Sequence, residues 1–269
     1  MAVERIDSAH DPRVAAYRGV RDGDLLRTRG LFVAEGRLVV RRVIEDERFC
    51  VESVLVNEAA LTDLEPALAV IAARIPILVC RPDALAAVAG YHVHRGCLAL
   101  VRRPPPAGVD EIVAAATRLV VLEGVSNADN VGSVFRNAAA FGADAVLLSP
   151  TCCDPLYRKA IRTSMGAVLR VPFARAGAGD WPGVLARVGA AGFTLVALTP
   201  REPSETLATF TRRPRPARIA LIVGTEGAGV SPAAEAAADY RVRIPIDDAV
   251  DSLNLAVATG IALYAISRT

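Results

Sequence analysis

A chain of 269 residues with 52% hydrophobic and 22% charged side chains has room for one large domain or two ordinary ones, each with a packed core. No apolar run reaches the roughly 18 to 20 residues that span a bilayer, and the start MAVERIDSAHDPR is charged where a signal peptide is apolar, so a soluble, cytoplasmic protein with no membrane partner is expected. The net charge of +2 does not announce a nucleic-acid partner, and the five cysteines (Cys50, Cys80, Cys97, Cys152, Cys153) and three histidines (His10, His92, His94) show neither a disulfide framework nor metal-ligand spacing, so no metal is expected.

In chain order, residues 11–44 read as helices, interrupted by the apolar segment Leu31 to Ala34 that ends in Glu35-Gly36. Residues 51–56 and 75–80 read as strands, 82–89 as a helix and 97–101 as a closing strand, together a small α/β unit. The stretch Arg102-Arg103-Pro104-Pro105-Pro106-Ala107-Gly108 follows. Three consecutive prolines exclude helix and favour a stiff connector, so the boundaries are drawn at 1–103 for a first domain, 104–110 for a linker and 111–269 for a second domain. There, residues 118–122, 145–148, 193–198, 219–223 and 242–244 read as strands, and 130–141, 158–165 and 252–266 as helices. Continuously apolar strands separated by helices predict an α/β fold with a mostly parallel sheet covered on both faces. Such sheets bind ligands at the carboxyl ends of their strands. Cys152 and Cys153, just after a strand, read as small buried residues, with a redox role as the alternative.

Three segments of the second domain share one design, an apolar strand running into a polar, glycine-bearing turn. In the first, Asn130 reads as a helix N-cap, Val131, Val134, Phe135 and Ala138 form an apolar stripe, and Gly132, Ser133 and Arg136 line up on another face. A fixed cation one turn from a residue without a side chain, near a positive helix end, admits a phosphate or ribose; a solvent-facing arginine is the alternative. The second is Gly224-Thr225-Glu226-Gly227-Ala228-Gly229. Its glycines let the backbone close on a ligand, and it equally suits a tight strand-to-helix turn. It is neither a P-loop nor a dinucleotide fingerprint. In the third, Ile244-Pro245-Ile246 is followed by Asp247-Asp248-Ala249-Val250-Asp251-Ser252-Leu253-Asn254, where Ser252 reads as an N-cap and Asn254, in the first helical turn, needs a polar partner.

Taken together and in this order, Asn130-x-Gly132-x-x-x-Arg136, Gly224-x-Glu226-Gly227-x-Gly229 and Ile244-Pro245 with Ser252-Leu253-Asn254 resemble the motifs of the SpoU (TrmH-like) family of RNA 2'-O-ribose methyltransferases. Arg162-Thr163-Ser164-Met165-Gly166-Ala167 resembles a further family element. The resemblance implies a SPOUT-type catalytic domain with a deep trefoil knot, a homodimer, and S-adenosylmethionine as cofactor in a pocket that includes Gly224, Ile244, Leu253, Leu198 and Thr199. It implies catalytic roles for Arg136, Asn130, Glu226, Ser252 and Asn254. The first domain, with Phe32-Val33-Ala34-Glu35-Gly36 and Gly96-Cys97-Leu98-Ala99, is similar to the ribosomal-protein-like RNA-binding domain of some members.

The implied substrate is RNA, ribosomal RNA in preference to transfer RNA, with a catalytically silent ribosome-assembly protein as a further alternative and an antibiotic-resistance role left open. An arginine whose pKa exceeds about 12 is a poor general base, so Arg136 is read as a cation that positions the hydroxyl and adjacent phosphate. Arg158, Lys159 and Arg162, and separately Arg212, Arg213, Arg215 and Arg218, are candidate phosphate contacts. Solvated surface charge is the plainer reading of either cluster.

Overall fold

The computed structural model describes residues 3–18, 22–90, 93, 95–247 and 249–268. His92, His94 and Asp248 lie outside them. The chain divides into two compact units, residues 1–105 with 156–166, and residues 106–155 with 167–269.

The first unit holds a mixed sheet of β1 (Glu4–Ile6), β2 (Leu31–Glu35), β3 (Cys50–Val56), β4 (Ile77–Cys80) and β5 (Cys97–Arg102), in the order β1-β4-β3-β5-β2. Strands β2 and β3 pair antiparallel with β5, and β4 runs parallel to β3 and β1. Its helices are α1 (Asp22–Asp24), α2 (Arg37–Glu45), α3 (Glu58–Ile71) and α4 (Pro82–Ala89). The core gathers Tyr17, Leu55, Leu78, Leu85 and Leu98. Burial pushes the Tyr17 phenol above its ordinary pKa, and its hydroxyl meets Ser53 Oγ at 2.7 Å. Helix α3, which contains Pro66, fills the interval between two expected strands, an interval to which the sequence assigned no element. It stands because Asn57 caps it, accepting from Ala60 N at 2.8 Å, and because Ala60, Leu64, Ala67 and Leu68 bury one face.

The second unit is built on seven strands: β6 (Arg118–Glu123), β7 (Ala145–Leu148), β8 (Phe173–Arg175), β9 (Thr194–Leu198), β10 (Glu205–Thr206), β11 (Ile219–Gly224) and β12 (Tyr240–Arg243). Their order is β10-β12-β9-β11-β6-β7-β8, and every neighbouring pair is parallel. This is the parallel sheet that the run of apolar strands predicted. The accompanying helices are α5 (Val109–Ala115), α6 (Ala128–Ala140), α7 (Arg158–Thr163), α8 (Val184–Ala190), α9 (Leu207–Phe210), α10 (Pro232–Ala237) and α11 (Leu255–Arg268). Of these, α7 with its flanks 156–166 packs in the first unit, where Arg42 Nη1 donates to the Gly166 carbonyl at 3.1 Å.

Both faces of the parallel sheet are covered. On one, Leu119, Val121, Leu147, Ala197 and Ile222 pack with Ile112 and Val113 of α5, Leu185 and Val188 of α8, and Ala234 of α10. Alternate strand residues point to the other face, where α6 packs on β7 and α11 packs on β11 and α6. Val131, Val134, Phe135 and Ala138 of α6 are fully buried, at about 1.5–3 kcal/mol for each large side chain. Cys152 and Cys153 are buried thiols, as expected of small residues following β7.

Two caps differ from expectation. Helix α6 starts two residues earlier than Asn130: Asn127 Oδ1 accepts from Asp129 N at 2.9 Å. Asn130, now inside the first turn, has its carboxamide available for tertiary contact. Helix α11 starts after Asn254, not after Ser252. Asn254 Oδ1 accepts from Ala256 N at 2.9 Å and Val257 N at 3.3 Å, while Ser252 is exposed. A carboxamide accepts at the cap with its oxygen and donates outward with its nitrogen. A serine cap at 252 would leave that outward donation unmade.

Candidate active site

The carboxyl ends of β9, β11 and β12 converge on a cavity of about 160 Å³. Its walls are Leu198 to Pro200 after β9, Val223 to Gly227 and Gly229 after β11, and Arg243, Ile244 and Ile246 after β12. Asp251, Ser252, Leu253, Leu255 and Ala258 close it from the approach to α11. Gly224, Ile244, Leu253, Leu198 and Thr199, expected from the sequence to hold the cofactor, thus share one cavity. Glu226 and Ser252 line it as well.

The turn after β11 is shaped by its glycines. A Cβ on Gly224 would lie 2.0 Å from the backbone of Gly229 and 2.2 Å from Val230 N, so the turn folds back directly onto this residue. Gly227 and Gly229 have φ of 84° and 69°, which side-chain-bearing residues rarely adopt. Gly229 N donates to the Thr225 carbonyl at 2.9 Å, closing the turn.

Beside the cavity runs a line of three polar side chains. Asn254 Nδ2 donates to Glu226 Oε1 at 2.8 Å and faces Asn130 Oδ1 at 3.3 Å. Asn130 is only 6% exposed, and its Nδ2 has no hydrogen-bond partner among the described residues. The partner that the sequence required for Asn254 is therefore a pair of residues 28 and 124 positions away. Aspartate in place of Asn254 would still cap α11 but would set a carboxylate against Glu226 and the Asn130 oxygen. Asn254→Asp is expected to keep the fold, lose about 1–2 kcal/mol from the repulsion and lost donation, and lower activity sharply; wild-type melting and turnover would refute the line.

Arg136 lies on the next exposed turn of α6. Among the described residues it has no ion-pair or hydrogen-bond partner, so the structure does not join it to Asn130. Gly132 is buried, and the bare face expected beside Arg136 is not open there. Asn137, half-buried on α6, donates to the Ala256 carbonyl at 2.6 Å, and a Cβ on Gly260 would sit 3.2 Å from its carboxamide. Helices α6 and α11 are thereby locked together.

Three supporting groups escaped the sequence reading. Glu123, at the buried end of β6, accepts from Ser231 N at 2.8 Å, Ser231 Oγ at 2.7 Å and Trp181 Nε1 at 2.9 Å. Arg175 Nη1 donates to the carbonyls of Ser149, Pro150 and Cys152 at 2.7–3.2 Å, fixing the turn after β7. Buried Glu235 receives Thr199 and Arg201. Each is a lone charged residue in an apolar or irregular stretch, and pattern alone gives it no partner.

The expected phosphate clusters also change. Arg218 is spent on main-chain carbonyls of Val113, Ala116 and Ala191 and lies over the Phe193 ring. Arg213 pairs with Glu205 at 3.2 Å and lies over Tyr240. Arg212 and Arg215 remain exposed. Arg158, Lys159 and Arg162 lie on α7, in the first unit. No three His, Cys, Asp or Glu side chains cluster as a metal site among the described residues, nor is any described helix long and apolar enough to cross a membrane.

A parallel sheet whose glycine turns meet at a cavity at the carboxyl ends of its strands, flanked by a carboxamide–carboxylate line, describes a class of ligand-binding α/β proteins. The sequence model of the SpoU rRNA Methylase family matches residues 117–264. An uncharacterized tRNA/rRNA methyltransferase of Mycobacterium bovis is 41% identical over 99% of this chain and 92% of its own length. The 23S rRNA (guanosine(2553)-2'-O)-methyltransferase RlmP of Bacillus subtilis is 26% identical over 97% of this chain and 98% of its own. The crystal structure of an AdoMet-bound rRNA methyltransferase from Sinorhizobium meliloti superposes with a TM-score of 0.83, at 24% identity, over 99% of this chain and 98% of that one. The chain belongs to the SpoU methylase family of RNA methyltransferases.

Proposed function

We propose that the chain transfers a methyl group from S-adenosylmethionine to a ribose 2'-hydroxyl of RNA, with ribosomal RNA as its substrate. The observation that carries the reading is the cavity flanked by Asn130, Asn254 and Glu226. The ribosomal substrate rests on likeness to the Bacillus subtilis 23S rRNA enzyme.

The cavity fits the cofactor chemically. Apolar Leu198, Ile244 and Leu253 suit an adenine, the main chain of the Gly224 turn suits its polar edge, and the carboxylates of Glu226 and Asp251 suit a cation. When bound, S-adenosylmethionine supplies an electrophilic methyl carbon next to a positive sulfur. The residues of the chain do the rest. Asn130 presents an unengaged Nδ2 donor, held in place because its oxygen faces Asn254. Arg136, exposed on α6 and with no partner among the described residues, holds the RNA phosphate and the attacking hydroxyl by charge and hydrogen bonding. Proximity and orientation of donor and acceptor supply part of the acceleration in such a site.

The trefoil knot belongs to this proposal too. Strand β12 lies outside β9, whereas the chain then passes the Gly224 turn and returns as α11 to β11 and α6. A homodimer is supported by Val257, Ile261 and Tyr264, spaced i, i+4, i+7 on α11 and all exposed; light scattering is expected to give the mass of two chains. The first unit serves as the RNA-binding part, the second as the methyltransferase, and the protein works in the cytoplasm.

The test is transfer from methyl-labelled S-adenosylmethionine to RNA of cells lacking the gene. Label in 23S rRNA at a nucleotide that becomes resistant to alkaline cleavage is expected. Label in transfer RNA alone would move the substrate to that class, and failure of the protein to bind the cofactor at all would leave an RNA-binding protein without catalysis.

A further inference from the structure

We propose that Arg201 is a positioning residue that holds the glycine turn between β11 and α10 in the shape that receives the methyl donor, working through buried Glu235. The inference rests on the assignment of the cavity to S-adenosylmethionine. Residues 225–230 carry two glycines at positive φ, and such a stretch loses much conformational freedom when ordered. Inside the turn there are only two short-range bonds, Gly229 N to the Thr225 carbonyl at 2.9 Å and Ala228 N to the Glu226 carbonyl at 3.2 Å. These alone are a weak restraint.

The guanidinium of Arg201 reaches the turn from behind. Its Nη1 donates to the Val230 carbonyl at 2.9 Å, and its Nη2 donates to the Ala228 carbonyl. The same Nη1 meets Glu235 Oε1 at 3.0 Å. That carboxylate oxygen also accepts from Thr199 Oγ1 at 2.7 Å, and Thr199 Oγ1 in turn accepts from Arg201 N at 3.2 Å. Thr199 lines the cavity, as do Glu226, Gly227 and Gly229, whereas Arg201 does not. One ion pair whose carboxylate side chain is 7% exposed therefore ties two walls of the cavity together.

The ends of the turn are secured independently. Gly224 is paired in β11, and Ser231 is held by Glu123 through its amide and hydroxyl. Between them, Glu226 is held through its side chain by Asn254, and the main-chain carbonyls of Ala228 and Val230 are held by Arg201. Losing that side chain loosens the turn while the sheet and α10 keep their own bonds. A lysine keeps the charge opposite Glu235 but lacks the planar fork that spans two carbonyls.

The experiment measures, for wild type, Arg201→Ala and Arg201→Lys, the affinity for S-adenosylmethionine by calorimetry, turnover at saturating cofactor, KM for RNA, and melting temperature. Arg201→Ala is expected to weaken cofactor binding by roughly 10-fold or more, the value of one to two net hydrogen bonds, with turnover at saturation and KM for RNA close to wild type. Arg201→Lys is expected to recover part of the affinity. Wild-type affinity in Arg201→Ala, or a fall in turnover at unchanged affinity, overturns the proposal. Should Arg201→Ala fail to fold, Arg201→Lys decides, and full affinity there overturns it. If wild type binds no S-adenosylmethionine, the cavity assignment falls and takes this inference with it.

Discussion

Replacing Arg136 by alanine is expected to lower methyl transfer by roughly 10²- to 10³-fold, the cost of removing one positioned donor from a reacting oxygen, with cofactor affinity and melting temperature unchanged. The separation follows from placement. Arg136 is exposed on α6, has no ion pair or hydrogen bond among the described residues, and is not among the residues lining the cavity. An exposed side chain without partners contributes within about 0.5 kcal/mol to stability, so nothing in the fold should respond to its loss. In the proposed mechanism its cation acts once RNA brings a phosphate and a hydroxyl alongside. Arg136→Lys retains the charge without the planar fork and is expected to recover only part of the rate. Calorimetry with S-adenosylmethionine and single-turnover transfer to RNA together read the split. Normal transfer by Arg136→Ala would remove the residue from the mechanism, and a loss of cofactor binding would make it a structural residue.

The second large effect is expected at Gly224. Alanine there places a methyl carbon 2.0 Å from the carbonyl of Gly229 and 2.2 Å from Val230 N. Both contacts are backbone, so no side-chain rotation relieves them and the turn itself has to open. Overpacking of this kind costs about 1–3 kcal/mol in a side-chain core, and rigid main chain places Gly224→Ala at the upper end. Cofactor affinity is expected to fall by roughly 100-fold, since about 2.7 kcal/mol of distortion falls directly on the wall of the cavity. A Gly227→Ala variant is the contrast: open space surrounds its Cβ position, and only its φ of 84° is unfavourable. If both variants bind S-adenosylmethionine like wild type, the turn is not part of the cofactor site.

The helix caps show where sequence reading falls short. Asn127 and Asn130 are both competent N-caps, and nothing local decides between them. What decides is that Asn254, 124 residues away from Asn130, makes use of the latter's oxygen, which leaves capping to Asn127. The same holds at α11, where Ser252 and Asn254 compete locally and Glu226 settles the matter by accepting from Asn254. Helix α3 is the opposite case. Pro66 is a local signal against helix, and tertiary burial of Leu64, Ala67 and Leu68 overrides it. The arginines illustrate the point most fully. Thirty-one basic residues read alike in the sequence, yet Arg218 is bound to carbonyls, Arg201 to the glycine turn, and Arg136 to no described residue.

The period of the strands, and with it the parallel sheet, is legible in the sequence, because alternation and apolar runs are local consequences of which faces are buried. So are the glycine turns at the strand ends and the family to which the chain belongs, because backbone conformations that exclude a Cβ leave their mark residue by residue. Which polar groups meet is settled by the folded chain. The Asn130–Asn254–Glu226 line, the Glu123 anchor and the Arg201–Glu235–Thr199 tie join residues tens to more than a hundred positions apart. A hydrogen bond between distant side chains depends on distances of a few tenths of an ångström and on direction, quantities that exist only after the sheet has brought its strand ends together.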